Sequence, residues 1–222
     1  MWLEYELLKD PKQKGFFCVS TSYRQEPNPV PGRHDLIFPM FEFEMPGGID
    51  ELKSMEYELC DWLGFKKPIE KTYREWQIHY GLNVETELEA KHENAMGAFF
   101  GSAMITNFPE FTSPFWNMSR NEDGTSRKID VILGGMETIG SAERSTDVEQ
   151  MRDTFHTISN GEYAGLISKL FGKERVEAEL EEFLKFDFFP RAGGGIGMTR
   201  MISALDKLEN PQGLIQKGTS IR

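Results

Sequence analysis

Four stretches of this 222-residue chain carry residue types that could do chemistry. The first holds Arg24 and Glu26, followed by Arg33 and His34. A guanidinium at a strand end can clamp a phosphate with its planar set of donors, and a carboxylate can accept from an amino group such as an adenine amine. Arg33 and His34, at a loop tip, would then close over a polyphosphate. Charge alone favours the alternative of a solvated hairpin tip, because surface ion pairs are common and weak.

The second candidate is a pair of carboxylates, Glu42 and Glu44. Residues two apart on a strand share one face of the sheet. If that face is buried, two carboxylates are costly unless they meet a cation, which a substrate ammonium or a metal would supply. If that face is exposed to solvent, the two carboxylates need no cation nearby. The sequence leaves both interpretations open.

The third candidate combines Asp130, Glu137 and Arg144, with Gly140 between the last two. Two carboxylates seven residues apart, on a strand and its continuation, could share a Mg²⁺ ion that also contacts phosphates. Arg144 could pair with a substrate carboxylate or amide oxygen. The spacing by itself is not specific.

The fourth candidate is the glycine run 193–197, which contains Gly195 and Gly197 and precedes Arg200. A glycine-rich turn that enters a helix offers free backbone N–H groups to a ligand. Arg200 would lie in the first helical turn, where it opposes the helix dipole, so a phosphate or a purine face would explain it. The run lacks the Gly-Lys-Ser/Thr ending of a Walker loop.

The elements that must position these residues follow from hydrophobic periodicity and turn signals. We predict strands at 16–20 and 37–45, joined as a hairpin by a loop rich in Pro, Asn and Gly, and further strands at 103–107, 113–118 and 128–133, with a turn at 121–124. We predict helices at 49–65, 147–157, 161–170, 174–186 and 198–208. Hairpins followed by helices indicate an α+β fold, an antiparallel sheet with helices packed on it.

Composition narrows the class of protein. The formal net charge is −11, which argues against a broad nucleic-acid surface and so against DNA as a partner. Two cysteines, Cys18 and Cys60, make neither a disulfide framework nor a metal motif. The sequence shows no apolar run that could span a membrane and no signal peptide, so we expect a cytoplasmic protein of one domain, residues 1–222.

In order along the chain, these stretches resemble the class II aminoacyl-tRNA synthetases. Tyr-Arg-Gln-Glu at 23–26, Gly-Arg-His at 32–34 and Phe38-x-x-x-Glu42-x-Glu44 are similar to motif 2, and Gly-Gly-Gly-Ile-Gly-Met-Thr-Arg at 193–200 is similar to motif 3. The asparaginyl/aspartyl subgroup is the most similar, through segments like 92–93, 106–109, 115–118, 121–124 and 137–140. The resemblance spans about residues 16–204 and implies a class II synthetase-like antiparallel sheet flanked by helices.

The resemblance also implies a role for each matching residue on the nucleotide. Arg24 would contact the α-phosphate and the activated carbonyl, Glu26 would read the adenine amine, and Phe38 would stack on adenine. The outer phosphates would meet His34, with Arg33 and Arg200. Gly195 and Gly197 of motif 3 would also lie against ATP. We take Arg24 and Arg200 as the expected catalytic residues.

For the rest of the site, the resemblance implies that Asp130 and Glu137 bind Mg²⁺. Glu42 would lie by the substrate ammonium and Arg144 by its side-chain carboxylate or amide. Glu44 and Gly140 would complete the amino-acid pocket.

The departures from the family shape the functional hypothesis. We find no anticodon-binding domain and no motif 1, which supplies the family's dimer interface and lies near part of its amino-acid pocket. Residues 1–10 offer Leu3 or Lys9 for that part of the pocket. Ser141 stands where the family usually has a second glycine, and we expect its side chain to crowd the pocket. Met198-Thr199 is more similar to the ammonia-dependent asparagine synthetases, which share this fold.

We therefore expect an AMP-forming ligase that uses ATP and Mg²⁺ to activate aspartate or a similar amino acid and passes it to ammonia, with tRNA an improbable partner. Two alternatives stay open, acyl transfer to a carrier protein or pathway intermediate, and a non-catalytic sensor of amino acids or nucleotides. A homodimer is expected by analogy with the family alone.

Overall fold

A seven-stranded sheet forms the centre of the computed structural model, which describes residues 2–25 and 28–209. Its strands are β1 (Phe16–Tyr23), β2 (Ile37–Pro46), β3 (Ile69–Thr72), β4 (Ser102–Phe108), β5 (Ser126–Leu133), β6 (Met136–Glu143) and β7 (Arg191–Gly197). Their order across the sheet is β1-β2-β7-β6-β5-β4-β3, and every neighbouring pair is antiparallel except β3 and β4. The predicted α+β fold with an antiparallel sheet is confirmed.

Eight α-helices and two short 3₁₀ helices surround the sheet in the described ranges. The α-helices are α1 (Trp2–Lys9), α2 (Ile49–Trp62), α3 (Tyr73–His79), α4 (Ala90–Phe100), α5 (Val148–Thr157), α6 (Glu162–Phe171), α7 (Lys173–Phe183) and α8 (Met198–Glu209). The 3₁₀ helices are Glu110–Thr112 and Ile158–Gly161. No helix in this part of the chain is long and apolar enough to cross a membrane.

The two faces of the sheet have different environments, because side chains alternate along each strand. One face packs on α2 and α8 through a buried cluster that includes Leu52, Met201, Ile139 and Ile196. The other face carries the alternate residues, including the two carboxylates at 42 and 44. A second buried cluster, around Trp116, joins α5 and α7 beside the sheet.

Two predicted elements are wrong. Residues 113–118 form no strand and contribute one isolated bridge, from Met118 to Arg144. The glycine run 193–197 is no turn, because it lies in β7, between β2 and β6. Its backbone therefore pairs with both neighbours, and the predicted set of free N–H groups does not form. Helices α1, α3 and α4 and strands β3 and β6 were not predicted, so Glu137 lies on the neighbouring strand β6 and not on a continuation of β5.

The remaining predicted strands and helices agree with the structure to within a few residues at their ends. β1 and β2 form the predicted hairpin with a long connecting loop. Asp147 caps α5 by accepting from the Gln150 N–H at 3.0 Å, which is why that helix begins where the sequence indicates. Cys18 and Cys60 are both free thiols.

Candidate active site

A cavity of about 240 Å³ opens on the face of the sheet that the helices α2 and α8 leave free. Most of the predicted ATP residues line it together with Gly140, although they come from distant parts of the chain: Arg24, Arg33, Phe38, Glu137, Gly195, Gly197 and Arg200. Ser22, Asp35, Met40, Thr138 and Thr199 complete its lining and were not predicted. The structure thus brings the predicted nucleotide residues into one place.

Three guanidinium groups converge at this cavity. Arg200 lies at the third position of α8, and the nearby charges of Arg24 and Arg33 both act on it. Burial and these two like charges lower the pKa of Arg200, against the opposing effect of Glu137. Like charges gathered at a half-buried site are unfavourable unless an anion joins them. The cavity is therefore suited to a polyanion, although the protein as a whole is acidic.

The position of Arg200 is set by backbone contacts. Its Nη1 donates to the carbonyl of Glu137 at 2.7 Å, and its Nη2 donates to the carbonyl of Arg33 at 3.3 Å. The Glu137 carboxylate lies 3.8 Å from Nη1. These contacts hold the guanidinium between the loop that follows β1 and the start of β6, so that its charge faces the cavity.

Glu93, on α4, organises the opposite wall. Its carboxylate is paired with Arg33 and also accepts from the backbone N–H of Glu137 at 2.9 Å. Arg33 donates further to the carbonyl of Gly135 at 3.4 Å. One carboxylate therefore fixes both a predicted phosphate ligand and a predicted metal ligand. The sequence marked Glu93 as part of the resemblance but gave it no role.

Arg24 and Phe38 lie next to each other where β1 and β2 meet their connecting loop. The guanidinium carbon of Arg24 lies 5.1 Å from the centroid of the Phe38 ring, within the range of a cation–π contact. An adenine ring can stack on Phe38 on its free face or after Arg24 moves aside. Both residues were expected to touch ATP, and the structure makes them neighbours.

Two other predicted nucleotide residues have different outcomes. His34 does not line the cavity, and its Nδ1 accepts from the Val30 N–H at 3.3 Å, which ties the ring into its own loop. Glu26 lies outside the described residues. The role of each in binding ATP stays a prediction.

The glycines of β7 clear space for the side chains of the strands beside it. A Cβ on Gly193 would lie 2.0 Å from a carboxylate oxygen of Glu44, and one on Gly195 would lie 2.4 Å from the side chain of Met40. A Cβ on Gly193 would also lie 2.5 Å from the carbonyl oxygen of Phe43, so that clash could not be relieved without moving the backbone, whereas the flexible end of Met40 could move away from Gly195. Glycine at position 193 is thus required by close approach in a central strand, and the expected glycine turn does not form.

The predicted metal ligands approach each other above Gly140. A Cβ at Gly140 would lie 2.9 Å from a Glu137 carboxylate oxygen and 3.5 Å from Oδ1 of Asp130. Oδ1 of Asp130 is buried and has no hydrogen-bond partner among the described residues, whereas Oδ2 accepts from Lys128 at 2.6 Å. Burial raises the pKa of Asp130 to about 7, although the charge of Lys128 opposes that rise.

This arrangement fits a hard divalent cation. An orphaned buried carboxylate oxygen beside a second carboxylate offers the oxygen ligands that Mg²⁺ prefers, and Mg²⁺ usually takes one or two carboxylates together with phosphates. No cluster of three or more His, Cys, Asp or Glu residues that could hold a metal ion occurs within residues 2–25 and 28–209.

Glu42 has only neutral partners on the same face. Its Oε2 accepts from the Ser20 hydroxyl at 2.5 Å and from the Cys18 thiol at 3.7 Å, both on β1. Desolvation and the negative charge of Glu42 raise the pKa of the Cys18 thiol, which therefore stays protonated. No cation pairs with this carboxylate in the described part of the chain, which suits a residue expected to lie by a substrate ammonium.

Glu44 differs from Glu42 because it already has a cationic partner. Both of its oxygens accept from Arg144, at 2.9 Å from Nε and 3.0 Å from Nη2. Glu44 is buried, and the pairing raises the pKa of Arg144 above its ordinary value although burial lowers it. Such a side-on pair holds the guanidinium in one orientation. The geometry therefore favours Glu44 as the residue that orients Arg144, where direct contact with the amino acid was expected.

The expectation that Ser141 crowds the pocket is wrong. Strand alternation places Ser141 on the opposite face of the sheet from Gly140, and its hydroxyl donates to the Glu56 carboxylate of α2 at 2.6 Å. Burial raises the pKa of Glu56 to about 8. The pocket side of β6 is left to Gly140, which lines the cavity.

The N-terminal helix supplies a group that the sequence did not indicate. Glu4 of α1 is buried and pairs with the fully buried Arg191 of β7. Leu3 and Lys9 had been the candidates from this segment, but Lys9 is exposed and pairs with Glu6. No local pattern distinguishes Glu4 from other helical glutamates, because its partner is 187 residues away.

The sheet and its arginine-lined cavity define a domain of the class II synthetase fold. A family model described as tRNA synthetases class II (D, K and N) matches residues 12–215. This chain belongs to that family.

Its relatives are distant and longer. The chain is 27% identical over 204 residues to the aspartate–tRNA(Asp/Asn) ligase of Aeropyrum pernix, which covers 85% of this chain and 42% of that protein. It is 24% identical over 174 residues to the asparagine–tRNA ligase of Rhodopirellula baltica, which covers 76% of this chain and 33% of that protein. The chain thus spans less than half the length of these relatives.

A solved structure shares the fold. The asparaginyl-tRNA synthetase of Pyrococcus horikoshii complexed with asparaginyl-adenylate matches with a TM-score of 0.72 at 16% identity, over 93% of this chain and 52% of that chain. At this identity the match establishes the architecture of the sheet and its helices.

Proposed function

We propose that this chain uses ATP and Mg²⁺ to activate an amino acid as an acyl-adenylate and then joins it to a nitrogen nucleophile. One observation carries the proposal, the convergence of Arg24, Arg33 and Arg200 on a cavity that also holds the carboxylate of Glu137. Three cations fit a triphosphate, and a carboxylate pair beside them fits its metal. The family supports the activation step, because two of the relatives are an asparagine–tRNA ligase and an aspartate–tRNA(Asp/Asn) ligase.

In the first step, a carboxylate oxygen of the amino acid attacks the α-phosphorus of ATP. The bond from that phosphorus to the bridging oxygen breaks, and pyrophosphate leaves with the electron pair. Arg24 would stabilise the charge that develops on the α-phosphate, and Arg33 and Arg200 would hold the leaving pyrophosphate. Mg²⁺ held by Asp130 and Glu137 would neutralise phosphate charge. The chain otherwise acts by orienting two bound substrates.

In the second step, the nitrogen nucleophile attacks the acyl carbon of the adenylate. The new C–N bond forms, AMP leaves with the electrons of the mixed anhydride bond, and the nitrogen loses a proton to solvent. Ammonia with aspartate, giving asparagine, is the simplest version. The excess of 36 acidic over 25 basic residues supports a small acceptor, since a tRNA would favour a basic surface.

The amino acid would lie along the same face of the sheet, beyond the nucleotide. Its ammonium would meet Glu42, whose charge has no cationic partner in the described residues. Arg144, which Glu44 holds in place, would meet the polar group of the amino acid that is not activated. In the synthesis of asparagine this group is the α-carboxylate of aspartate, because the side-chain carboxylate attacks ATP. If the α-carboxylate is activated, Arg144 would meet the side-chain carboxylate or amide. In that case these two groups select an acidic or amide side chain.

Pyrophosphate exchange into ATP tests the proposal. The purified chain is incubated with ATP, Mg²⁺ and each proteinogenic amino acid in turn, and exchange is expected with aspartate or asparagine. Ammonium, tRNA and candidate carrier proteins are then added separately, and the product is identified by mass spectrometry. Asparagine formed from aspartate and ammonium supports the ligase. ATP binding without exchange for any amino acid would contradict it and favour a sensor.

Two further expectations accompany the proposal. The family analogy suggests a homodimer, which the mass from light scattering would confirm or refute. A substrate set of ATP and a free amino acid fits a cytoplasmic location, which fractionation of the native cells would check.

A further inference from the structure

The carboxylate of Glu4 is buried, and both of its oxygens accept hydrogen bonds. It is 1% exposed, and its Oε1 accepts from Arg191 at 3.0 Å from Nε and 2.6 Å from Nη2. Its Oε2 accepts from the amide of Asn117 at 2.7 Å. A helix at the start of the chain thus places one charged oxygen pair deep inside the protein, between two separate segments.

Arg191 is a buried cation with several fixed contacts. It is 0% exposed, its Nη1 donates to the carbonyls of Ser145 and Phe189, and its guanidinium lies 4.7 Å from the ring of Phe188. Carbonyls and a ring face do not neutralise a positive charge as a carboxylate does. Glu4 is the carboxylate that does so.

This pair stands next to the second ion pair, Glu44 with Arg144. The backbone N–H of Arg144 donates to the carbonyl of Arg191 at 2.8 Å. The charges act on one another: burial lowers the pKa of Arg191, Glu4 and Glu44 oppose that change, and Arg144 adds to it. These four residues therefore form one electrostatic cluster, in which Glu4 is paired with Arg191 and Glu44 with Arg144.

Because Glu4 pairs with Arg191, Glu44 pairs with Arg144 alone. Glu44 engages its Nε and Nη2, and Nη1 makes no hydrogen bond within the described residues. That remaining edge is the part of the guanidinium that can reach a ligand. If Glu4 were neutral, Arg191 would be a buried cation beside Glu44, the other carboxylate that acts on its charge. Arg144 would then share or lose the carboxylate that orients it.

We infer that Glu4 is a specificity-determining positioning residue, which neutralises Arg191 so that Glu44 remains free to orient Arg144 toward the polar group of the amino acid that is not activated. The inference rests on the proposed function, since it deepens the account of how the amino acid is selected. It gives α1 a place in the active site, although Glu4 itself touches neither substrate.

The test compares amino-acid and ATP kinetics in pyrophosphate exchange for three chains: wild type, Glu4→Gln and Glu6→Gln. The glutamine at position 4 keeps the shape and one acceptor oxygen but removes the charge. We expect Glu4→Gln to raise the KM for the amino acid by about tenfold or more and to leave the KM for ATP within about twofold. Glu6→Gln, the same change on the same helix, is expected to leave both constants unchanged.

A purely structural role for Glu4 would give a different result. Loss of folded protein would lower the apparent kcat for both substrates alike and leave each KM unchanged, and a thermal melt of each variant would show it. The double variant Glu4→Gln with Arg191→Met removes both charges, so we expect it to recover most of the amino-acid KM. In a Glu44→Gln background, Glu4→Gln is expected to add little, because its effect passes through Glu44.

The outcomes separate this inference from the proposed function. A wild type that exchanges pyrophosphate, with an unchanged amino-acid KM in Glu4→Gln, overturns the inference alone. Full additivity of Glu4→Gln and Glu44→Gln also overturns it. A wild type that binds ATP but exchanges with no amino acid overturns the proposed function and this inference together.

Discussion

The proposed nucleotide half of the site, around Arg24, Arg33 and Arg200, and the proposed amino-acid half, around Arg144 and Arg191, differ in how their charges are paired. In the proposed nucleotide half, Arg24, Arg33 and Arg200 line one open cavity, where the charges of Arg24 and Arg33 act unfavourably on Arg200. In the amino-acid half, Arg144 and Arg191 are each bound by a buried carboxylate of their own. In the first half, Arg33 is paired with Glu93 and Arg200 lies 3.8 Å from Glu137, but Arg24 has no carboxylate partner among the described residues, so a ligand is needed to balance its charge. The second is balanced within the protein.

The difference is the one expected if the first half binds a triphosphate and the second an amino acid, as proposed above. A triphosphate brings several negative charges, so cations that repel one another when free become favourable on binding. An amino-acid side chain brings at most one charge, so recognition depends on the direction of one guanidinium edge. A buried ion pair fixes that direction, at a cost in desolvation that only full pairing repays. We therefore expect the two halves to respond differently to the loss of one charge.

Glu44→Gln is expected to have the largest effect, on folding stability. It leaves Arg144 buried without its carboxylate, and breaking a buried pair from one side costs about 3 to 5 kcal/mol. Chemical denaturation without ligands measures this free energy of unfolding. Arg24→Gln is the matched comparison from the nucleotide half. Because it removes one of three repelling cations, we expect unchanged or slightly greater stability in the absence of ATP.

Equal losses of stability in Glu44→Gln and Arg24→Gln would break the comparison. It would mean that the nucleotide half is also balanced internally, through contacts such as the cation–π pair of Arg24 with Phe38. Wild-type stability in Glu44→Gln would mean that Arg144 finds another partner or reaches solvent. Neither result depends on which reaction the chain catalyses.

Arg24→Gln is expected to have the next largest effect, on activity. Removing one donor from a preorganised anion site typically lowers kcat by about 10²–10³-fold. We expect a loss of that size in pyrophosphate exchange, together with weaker ATP binding by calorimetry. The control is Arg175→Gln, an exposed arginine on α7 paired with Glu179, which should retain wild-type exchange. Full activity in Arg24→Gln would remove Arg24 from the proposed phosphate contacts.

The nucleotide half was largely predictable from the sequence, and the amino-acid half was not. Four residues lie within sequence motifs whose residue types indicate phosphate, adenine or metal binding, and all four line one cavity: Arg24, Phe38, Glu137 and Arg200. The prediction for residues 193–197 was wrong, because a run of glycines is typical of a turn and the sequence does not show that β2 and β6 pair on either side of it. Only the fold shows that Gly193 must leave room for Glu44.

The amino-acid half depends on pairings that join distant segments. Nothing around Glu4 indicates that it meets Arg191, and nothing around Glu44 indicates that it meets Arg144, 100 residues further along the chain. The expected place of Ser141 was also wrong, because strand alternation puts it on the face opposite Gly140 and β6 was not among the predicted strands. Long-range contacts leave no local pattern, so the sequence indicated which residues gather at the cavity better than it indicated their partners.

A substitution at Glu56 is expected to have the smallest effect. It compares a buried carboxyl group that has no cationic partner with the two, Glu4 and Glu44, that are paired with arginines. Glu56 is fully buried like Glu4 and Glu44, but its Oε1 accepts only from the Ser141 hydroxyl, and its Oε2 has no partner among the described residues. Burial raises its pKa to about 8, so the folded protein holds a proton that the unfolded chain releases at lower pH. The folded state then binds more protons than the unfolded state between about pH 4.5 and pH 8, and the contribution of Glu56 to stability falls as the pH rises through that window.

Glu56→Gln removes this contribution because the amide does not ionise. The free energy of unfolding of the variant, minus that of the wild type, should therefore increase by at least about 1 kcal/mol from pH 5 to pH 8, since one pKa unit corresponds to about 1.4 kcal/mol. Denaturation curves at several pH values measure the difference, with the exposed Glu58→Gln on the same helix as control. A difference independent of pH would mean that Glu56 is ionised in the folded protein at neutral pH. The buried carboxylates of this protein would then not need a cation to stay charged, and the contrast between the two halves would lose its electrostatic basis.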